Sequence, residues 1–319
     1  MTKVFIDGSA GTTGLRIRER LAERSDLTVL SLPEELRKDP ASRGAIMNEA
    51  DVVFLCLPDQ ASEEAIRMIR PDVTVIDTST AHRTAEGWTY GLPELAGSRE
   101  TIRTSNRIAN PGCHASGFLT LVEPLVREGL VAKETALVCF SVTGYSGGGK
   151  AMIADYQSAE RAAEFDAPRQ YALTQNHKHL KEMAAVAGLE TAPVFCPIVG
   201  DYYSGMCVTV PLFRKDLRGT VRDVEELYGE LYNGPVVRFR PSSDLTGGDP
   251  LAGRGVIAGN ALSGYDDMEI LVTGNDERIL LVSVFDNLGK GASGAAIQNM
   301  NIRTGAAETA GLVLRGNEI

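Results

Sequence analysis

Lys3-Val4-Phe5-Ile6-Asp7 begins the chain as a short β-rich run, and Leu15, Ile17, Leu21 and Ala22 then follow at helical spacing. Between them lies Gly8-Ser9-Ala10-Gly11-Thr12-Thr13-Gly14. A strand, a glycine-rich turn and a helix in that order predict a cradle for a dinucleotide. Glycines let the backbone approach a pyrophosphate, whose charge meets the helix N-terminus. The residues expected to hold the cofactor there are Gly8, Ser9, Ala10, Gly11, Thr12, Thr13 and Gly14. Further strands are predicted over 27–32, 51–58 and 73–77, with a helix over 61–69. The near-continuous apolar run Val52-Val53-Phe54-Leu55-Cys56-Leu57 is of the kind found inside parallel sheets. Strands alternating with helices indicate a doubly wound α/β domain.

The pattern changes after residue 112. An apolar helix follows Cys113, then come β-rich runs over 135–142, 194–199, 206–210, 236–239 and 279–284, with a helix over 221–232. This predicts a mostly antiparallel sheet with helices on one face, an α+β domain. A glycine-dense stretch, Thr143 to Lys150, reads as a loop and matches no P-loop. A last helix begins near Ala295, with a small-residue face suited to packing back on the first domain. The expected boundaries are 1–112 for the nucleotide domain and 113–290 for the catalytic, substrate and oligomerisation domain, with 291–319 returning to the first.

Composition narrows the function. The chain of 319 residues is 43% hydrophobic and 23% charged, a globular balance, and its formal net charge is −10 with no run of basic residues longer than two. That argues against nucleic acid or an anionic membrane as partner. No apolar run reaches the roughly 20 residues that span a bilayer, and the first strand leaves no room for a signal peptide, so a cytoplasmic location is expected. Five widely spaced cysteines without a C-x-x-C pair indicate neither a disulfide framework nor a zinc site.

The candidate chemistry centres on Asn110-Pro111-Gly112-Cys113. The turn places Cys113 at a helix N-terminus, where free amides and the helix dipole favour the thiolate. A histidine facing a thiolate serves as its base and later as a proton donor; His177 and His179 are the candidates. Their i, i+2 spacing, with no third ligand apparent, argues against a metal. Ser31 stands where NAD sites place an acidic residue, with Arg37 and Lys38 nearby, which suits a 2′-phosphate and hence NADP, although Glu34 and Glu35 oppose this. Thr78 to Arg83 leaves a strand at its carboxyl end, where such sheets bind ligands; Ser79 is a cofactor candidate there. Arg83 is a candidate for holding a phosphate or carboxylate, as is Lys150, while His82 is expected to fix the loop.

Gly8 to Leu15, Asp77 to Arg83, Tyr90 to Leu95, Asn110 to Cys113, His177-Lys178-His179 with Glu182, and Asp286 to Asn301 together resemble the N-acetyl-gamma-glutamyl-phosphate reductase family in its shorter form. The resemblance implies a Rossmann domain followed by a domain like that of glyceraldehyde-3-phosphate dehydrogenase. It implies Cys113 as nucleophile and His179, ahead of His177, as acid/base. Asn287 is implied at the cofactor and Asn110 at the substrate, in a homo-oligomer, dimer or tetramer. The expected reaction is NADPH-dependent reduction of an acyl phosphate through a cysteine thioester. Two positions depart from the family: His114 replaces a Tyr or Phe, adding a third titratable group beside the thiol, and Ser116 replaces Thr. An aspartate-semialdehyde dehydrogenase and a non-catalytic NADP-binding redox sensor are the alternatives.

Overall fold

Val4, Phe5 and Ile6 are all buried along β1 (Thr2–Asp7), as a strand covered on both faces requires. The computed structural model describes residues 1–241 and 255–315. In the first part of the chain β1 is followed by α1 (Thr12–Ala22), β2 (Leu27–Leu30), α2 (Pro40–Glu49), β3 (Val52–Leu55), α3 (Asp59–Ile66), β4 (Thr74–Asp77), β5 (Thr89–Tyr90), α4 (Ser98–Thr104) and β6 (Arg107–Ala109). The sheet order is β2-β1-β3-β4-β6-β5, with every pairing parallel. Consecutive parallel strands are joined by crossovers, so the carboxyl ends of β1, β3 and β4 share one edge, and the turns after them become the ligand-facing loops.

The second part contains α5 (Cys113–Arg127), β7 (Val138–Gly144), α6 (Gly149–Gln157), β8 (Arg169–Gln170), α7 (His179–Ala187), β9 (Val194–Gly200), β10 (Met206–Phe213), α8 (Val221–Leu231), β11 (Val237–Arg240), β12 (Met268–Gly274) and β13 (Arg278–Phe285). Its seven strands run β11-β12-β13-β10-β7-β9-β8, with only β11–β12 and β7–β9 parallel. Side chains alternate between the faces. Val208 and Ser283 face α5, where Gly117 fits closely against both, and Tyr228 of α8 and Tyr232 just after it donate to the Leu121 and Thr120 carbonyls of α5. On the opposite face Phe140, Val194, Phe213 and Leu280 are exposed.

Helix α9 (Gly294–Thr304) is buried almost throughout. Arg303 holds it to Ser105 O and Asn106 Oδ1 at 2.8 and 2.6 Å, and Asn299 Nδ2 donates to Gly91 O at 2.9 Å. Two compact units result. One comprises Met1–Pro93, Gly97–Pro111 and Ala292–Leu312; the other holds the rest of the described residues.

Two readings of the sequence need correction. The stretch 143–150 is not one loop: β7 runs to Gly144, a tight turn follows at Tyr145–Gly148, and α6 starts at Gly149. Strand β12 was not anticipated, because Asp267 and Glu269 interrupt its apolar pattern. Both carboxylates are buried there and paired, Asp267 with Arg238 at 2.9 Å and with Arg315 at 3.1 Å.

Candidate active site

The glycine turn after β1 is shaped by close backbone approach. Gly8 has φ +85°, and a Cβ on it would lie 2.2 Å from Cys56 O, while one on Gly14 would lie 2.5 Å from Gly8 O. Gly11 has no such crowding, its nearest contact being Gly8 O at 3.4 Å. It caps α1 without a side-chain hydrogen bond, leaving the first amides of the helix facing outward for an anion. Beside the turn lies a cleft of about 450 Å³ lined by Ser9, Arg18, Ser31, Arg37, Lys38 and Arg43. Glu34 and Glu35, which opposed a phosphate in the sequence, do not line it; they occupy a one-turn helix whose residues are exposed. Arg18 and Arg43 were missed, because only the fold brings α1 and α2 to the end of β2. Arg43 is held by Asp7 Oδ2 at 2.6 Å. Four cations and no unpaired acid suit a 2′-phosphate.

In the other unit, Cys113 is the first residue of α5 and is partly exposed. Gly112 caps the helix with extended backbone and no side-chain bond. A sulfur there lies against the positive helix end, which stabilises its anion. A π-turn, Gly289–Ser293, presses on it from the side: a Cβ on Gly291 would come 2.8 Å from Cys113 Cβ. Such turns recur at functional sites.

His179 opens α7, and one turn later Glu182 lies on the same helix face, so the i, i+3 spacing brings Glu182 Oε1 4.0 Å from His179 Nε2. The other carboxylate oxygen of Glu182 accepts from Gly112 N at 3.2 Å. One buried carboxylate therefore ties the histidine to the turn that carries Cys113. Sequence reasoning gave Glu182 no role, although its spacing from His179 was the available signal. His177 Nδ1 accepts from His179 N at 3.2 Å, fixing the start of α7.

His114 is buried and joins this cluster, its ring centroid 5.4 Å from that of His179 and 5.7 Å from that of His177. Nδ1 is 2.6 Å from Ser141 Oγ and Nε2 is 2.7 Å from Tyr171 Oη. Burial, with His177 and Lys178 adding to it, pushes the imidazole down to about 3, so it is neutral at working pH. The sequence had no third histidine for a metal, but folding supplies one: ring nitrogens of His114, His177 and His179 lie within 4.8 Å of one another. Both nitrogens of His114 are already hydrogen-bonded, and we assign no metal to the cluster.

The remaining candidates scatter. Ser79 is enclosed by its own loop: it donates to Asp77 at 2.7 Å and accepts from Ala81 N at 3.2 Å. His82 does hold that loop, with Nδ1 2.6 Å from Asp77 Oδ2 and its ring stacked on Trp88. Arg83 donates to the Asn110 and Thr78 carbonyls at 3.0 and 3.1 Å. Asn110 is buried, bonded to Ala292 O at 3.1 Å and to Asn299 at 3.2 Å. Lys150 is exposed on the first turn of α6 in the other unit. Asn287, also in that unit, has its amide between Gly205 N at 2.9 Å and Ser146 Oγ at 3.0 Å. Cys56 and Cys139 are thiols whose ionisation burial disfavours, Cys56 reaching about 12.

Comparison with known proteins agrees with this layout. Residues 8–105 match the family model described as the semialdehyde dehydrogenase NAD-binding domain, and residues 113–287 match the semialdehyde dehydrogenase dimerisation domain. The chain is 41% identical to N-acetyl-gamma-glutamyl-phosphate reductase 2 of Nostoc sp., over 97% of this chain and 99% of that one. It is 43% identical to N-acetyl-gamma-glutamyl-phosphate reductase of Mesorhizobium japonicum, over 95% and 99%. Among solved structures, the fold resembles aspartate semialdehyde dehydrogenase II from Vibrio cholerae, with a TM-score of 0.69 at 17% identity, covering 95% of this chain and 98% of that one.

Proposed function

We propose, from the premise that this chain belongs to the N-acetyl-gamma-glutamyl-phosphate reductase family of semialdehyde dehydrogenases, that Cys113 is its nucleophile and His179 its acid–base group. The enzyme is an NADP-dependent oxidoreductase that reduces N-acetyl-gamma-glutamyl phosphate to the semialdehyde and phosphate, a step of arginine biosynthesis. The observation that carries the assignment of roles is the Glu182 bridge, which ties His179 to the turn bearing Cys113.

The Cys113 thiolate adds to the acyl carbon and phosphate departs with the electron pair of the broken C–O bond, leaving a thioester. The glycine turn and the cleft from Arg18 to Arg43 would hold NADPH, which would supply the hydride for reduction of a thioester. His179 gives a proton to the oxygen of the tetrahedral adduct and takes it back as the C–S bond breaks, so aldehyde leaves and the sulfur returns as thiolate. Glu182 stabilises the imidazole in its protonated form, before it gives up the proton and after it recovers it, and holds its orientation.

The cleft's four cations favour NADPH over NADH through the 2′-phosphate. The exposed apolar side chains Phe140, Val194, Phe213 and Leu280, all on the outer face of the seven-stranded sheet, support self-association as a homodimer through that face. The deciding assay follows NADP reduction with phosphate and either N-acetylglutamate semialdehyde or aspartate semialdehyde. Turnover is expected with the first substrate, and Cys113→Ser is expected to bind NADPH normally while losing nearly all of that activity. Turnover in Cys113→Ser comparable to the parent would sink the covalent route.

A further inference from the structure

Lys290 has no exposed side-chain surface, and the mechanism above gives it no part. Lysine is almost never buried so completely unless it is paired. Its Nζ lies 2.8 Å from Oε2 of Glu94, a carboxylate whose side chain is 3% exposed. Both residues belong to the second unit. Replacing a buried pair with apolar groups of similar size is often neutral or stabilising, so stability alone does not account for it. A charge-assisted bond in a dry site fixes position instead, because separating the two groups leaves each charge buried and uncompensated.

What the pair fixes is the π-turn. Lys290 stands inside Gly289–Ser293, where Gly291 N donates to Asp286 O at 3.0 Å, five residues back. The glycines on either side of Lys290 leave the turn no slack. A Cβ on Gly289 would strike Tyr265 O, and one on Gly291 would lie 2.8 Å from Cys113 Cβ. The Phe285 ring forms a wall common to the turn and to α5: Cβ atoms added to Gly117 and to Gly291 would meet it at 2.8 and 3.3 Å. Turn and helix thus pack without a gap, and close-packed contacts of this kind transmit a shift of one to the other.

We propose that the Lys290–Glu94 ion pair positions the nucleophile: it seats the π-turn, and Gly291 of that turn holds the Cys113 side chain in place at the start of α5. The proposal rests on the reading of Cys113 as nucleophile. Glu94 and Lys290 are positioning residues, acting through the turn and not on the substrate.

The test compares three variants of the full-length enzyme. Glu94→Asp keeps both charges and shortens the arm that draws Lys290 in. Glu94→Gln combined with Lys290→Met removes both charges together, so no carboxylate is left buried and unpaired. Gly291→Ala leaves the pair intact and crowds Cys113 directly. In each, kcat and the rate of iodoacetamide alkylation at Cys113, located by mass spectrometry, should fall about 10- to 100-fold, as a misplacement of up to an ångström does, while KM and NADPH affinity stay within about threefold of the parent. A purely structural role would lower the melting temperature of the two ion-pair variants and leave both rates, per folded molecule, at the parent value; that result overturns the proposal. If the double variant does not fold, Glu94→Asp decides this point alone. Parental kcat in Gly291→Ala also overturns it, since the turn would then not set the sulfur. The underlying reading fails separately, if alkylation of Cys113 in the parent enzyme spares turnover.

Discussion

A carboxylate, Glu182, links the two groups proposed to do the chemistry, although Gly112 and Glu182 are 70 positions apart. Glu182→Gln keeps the bond to Gly112 N and loses the charge facing His179. Its kcat should fall roughly 10- to 100-fold with NADPH affinity unchanged; an unaltered kcat would remove Glu182 from the mechanism. His114 makes a prediction about stability. Its folded value of about 3 lies below the unfolded value of about 6.5. Above the unfolded value both states are neutral, so the full stability is present. As pH falls through the window between the two values, the unfolded chain takes a proton that the native site refuses, and stability is lost by up to about 1.4 kcal/mol per pH unit. Urea unfolding of His114→Phe from pH 6 to 4 should therefore show a slope shallower by about one proton; identical slopes would mean that His114 is protonated in the native state. The sequence placed His114 beside the thiol, but its bonds were not legible there. Ser141 and Tyr171 are 27 and 57 positions from His114, and no local pattern reports such contacts.

Elements were easier to read where one period gives way to another. The strand-turn-helix opening was legible because a continuous apolar run, a glycine cluster and helical spacing follow within 22 residues. The three glycines of the turn looked equivalent in sequence, and the fold separates them. Gly8→Ala meets Cys56 O and a left-handed backbone, so it should destabilise the protein by about 2 kcal/mol or more and lower its melting temperature. Gly11→Ala has room, so it should fold like the parent and show any defect only in NADPH binding. Equal thermal stability of the two variants would contradict this account. Strand β12 escaped detection for the converse reason. Buried carboxylates at its start break the apolar pattern, and the arginines that neutralise Asp267 come from 29 and 48 positions away, at residues 238 and 315.

For the whole chain, the division into a parallel α/β unit and a mostly antiparallel one was legible from the change of pattern near residue 112. The family models assign the same two stretches to nucleotide binding and dimerisation. Among the described residues no helix is long and apolar enough to cross a membrane. The proposed association face was hidden in sequence, because Phe140 and Val194 read as ordinary strand residues until the pairing of β7 with β9 leaves both uncovered on one face. Phe140→Asp with Val194→Asp should convert the assembly to a smaller species in sedimentation velocity, since charges facing their own copies across an apolar contact repel. An unchanged sedimentation coefficient would place the contact elsewhere.

Strand β7 sets Phe140 and Ser141 on opposite sides of the sheet, one toward solvent and the next toward His114. Neighbours in the chain thus answer to different selective demands. On the proposed association, Phe140 can be rewritten for a monomeric enzyme without touching the side chains that face α5, whereas inserting a single residue there would exchange the two faces.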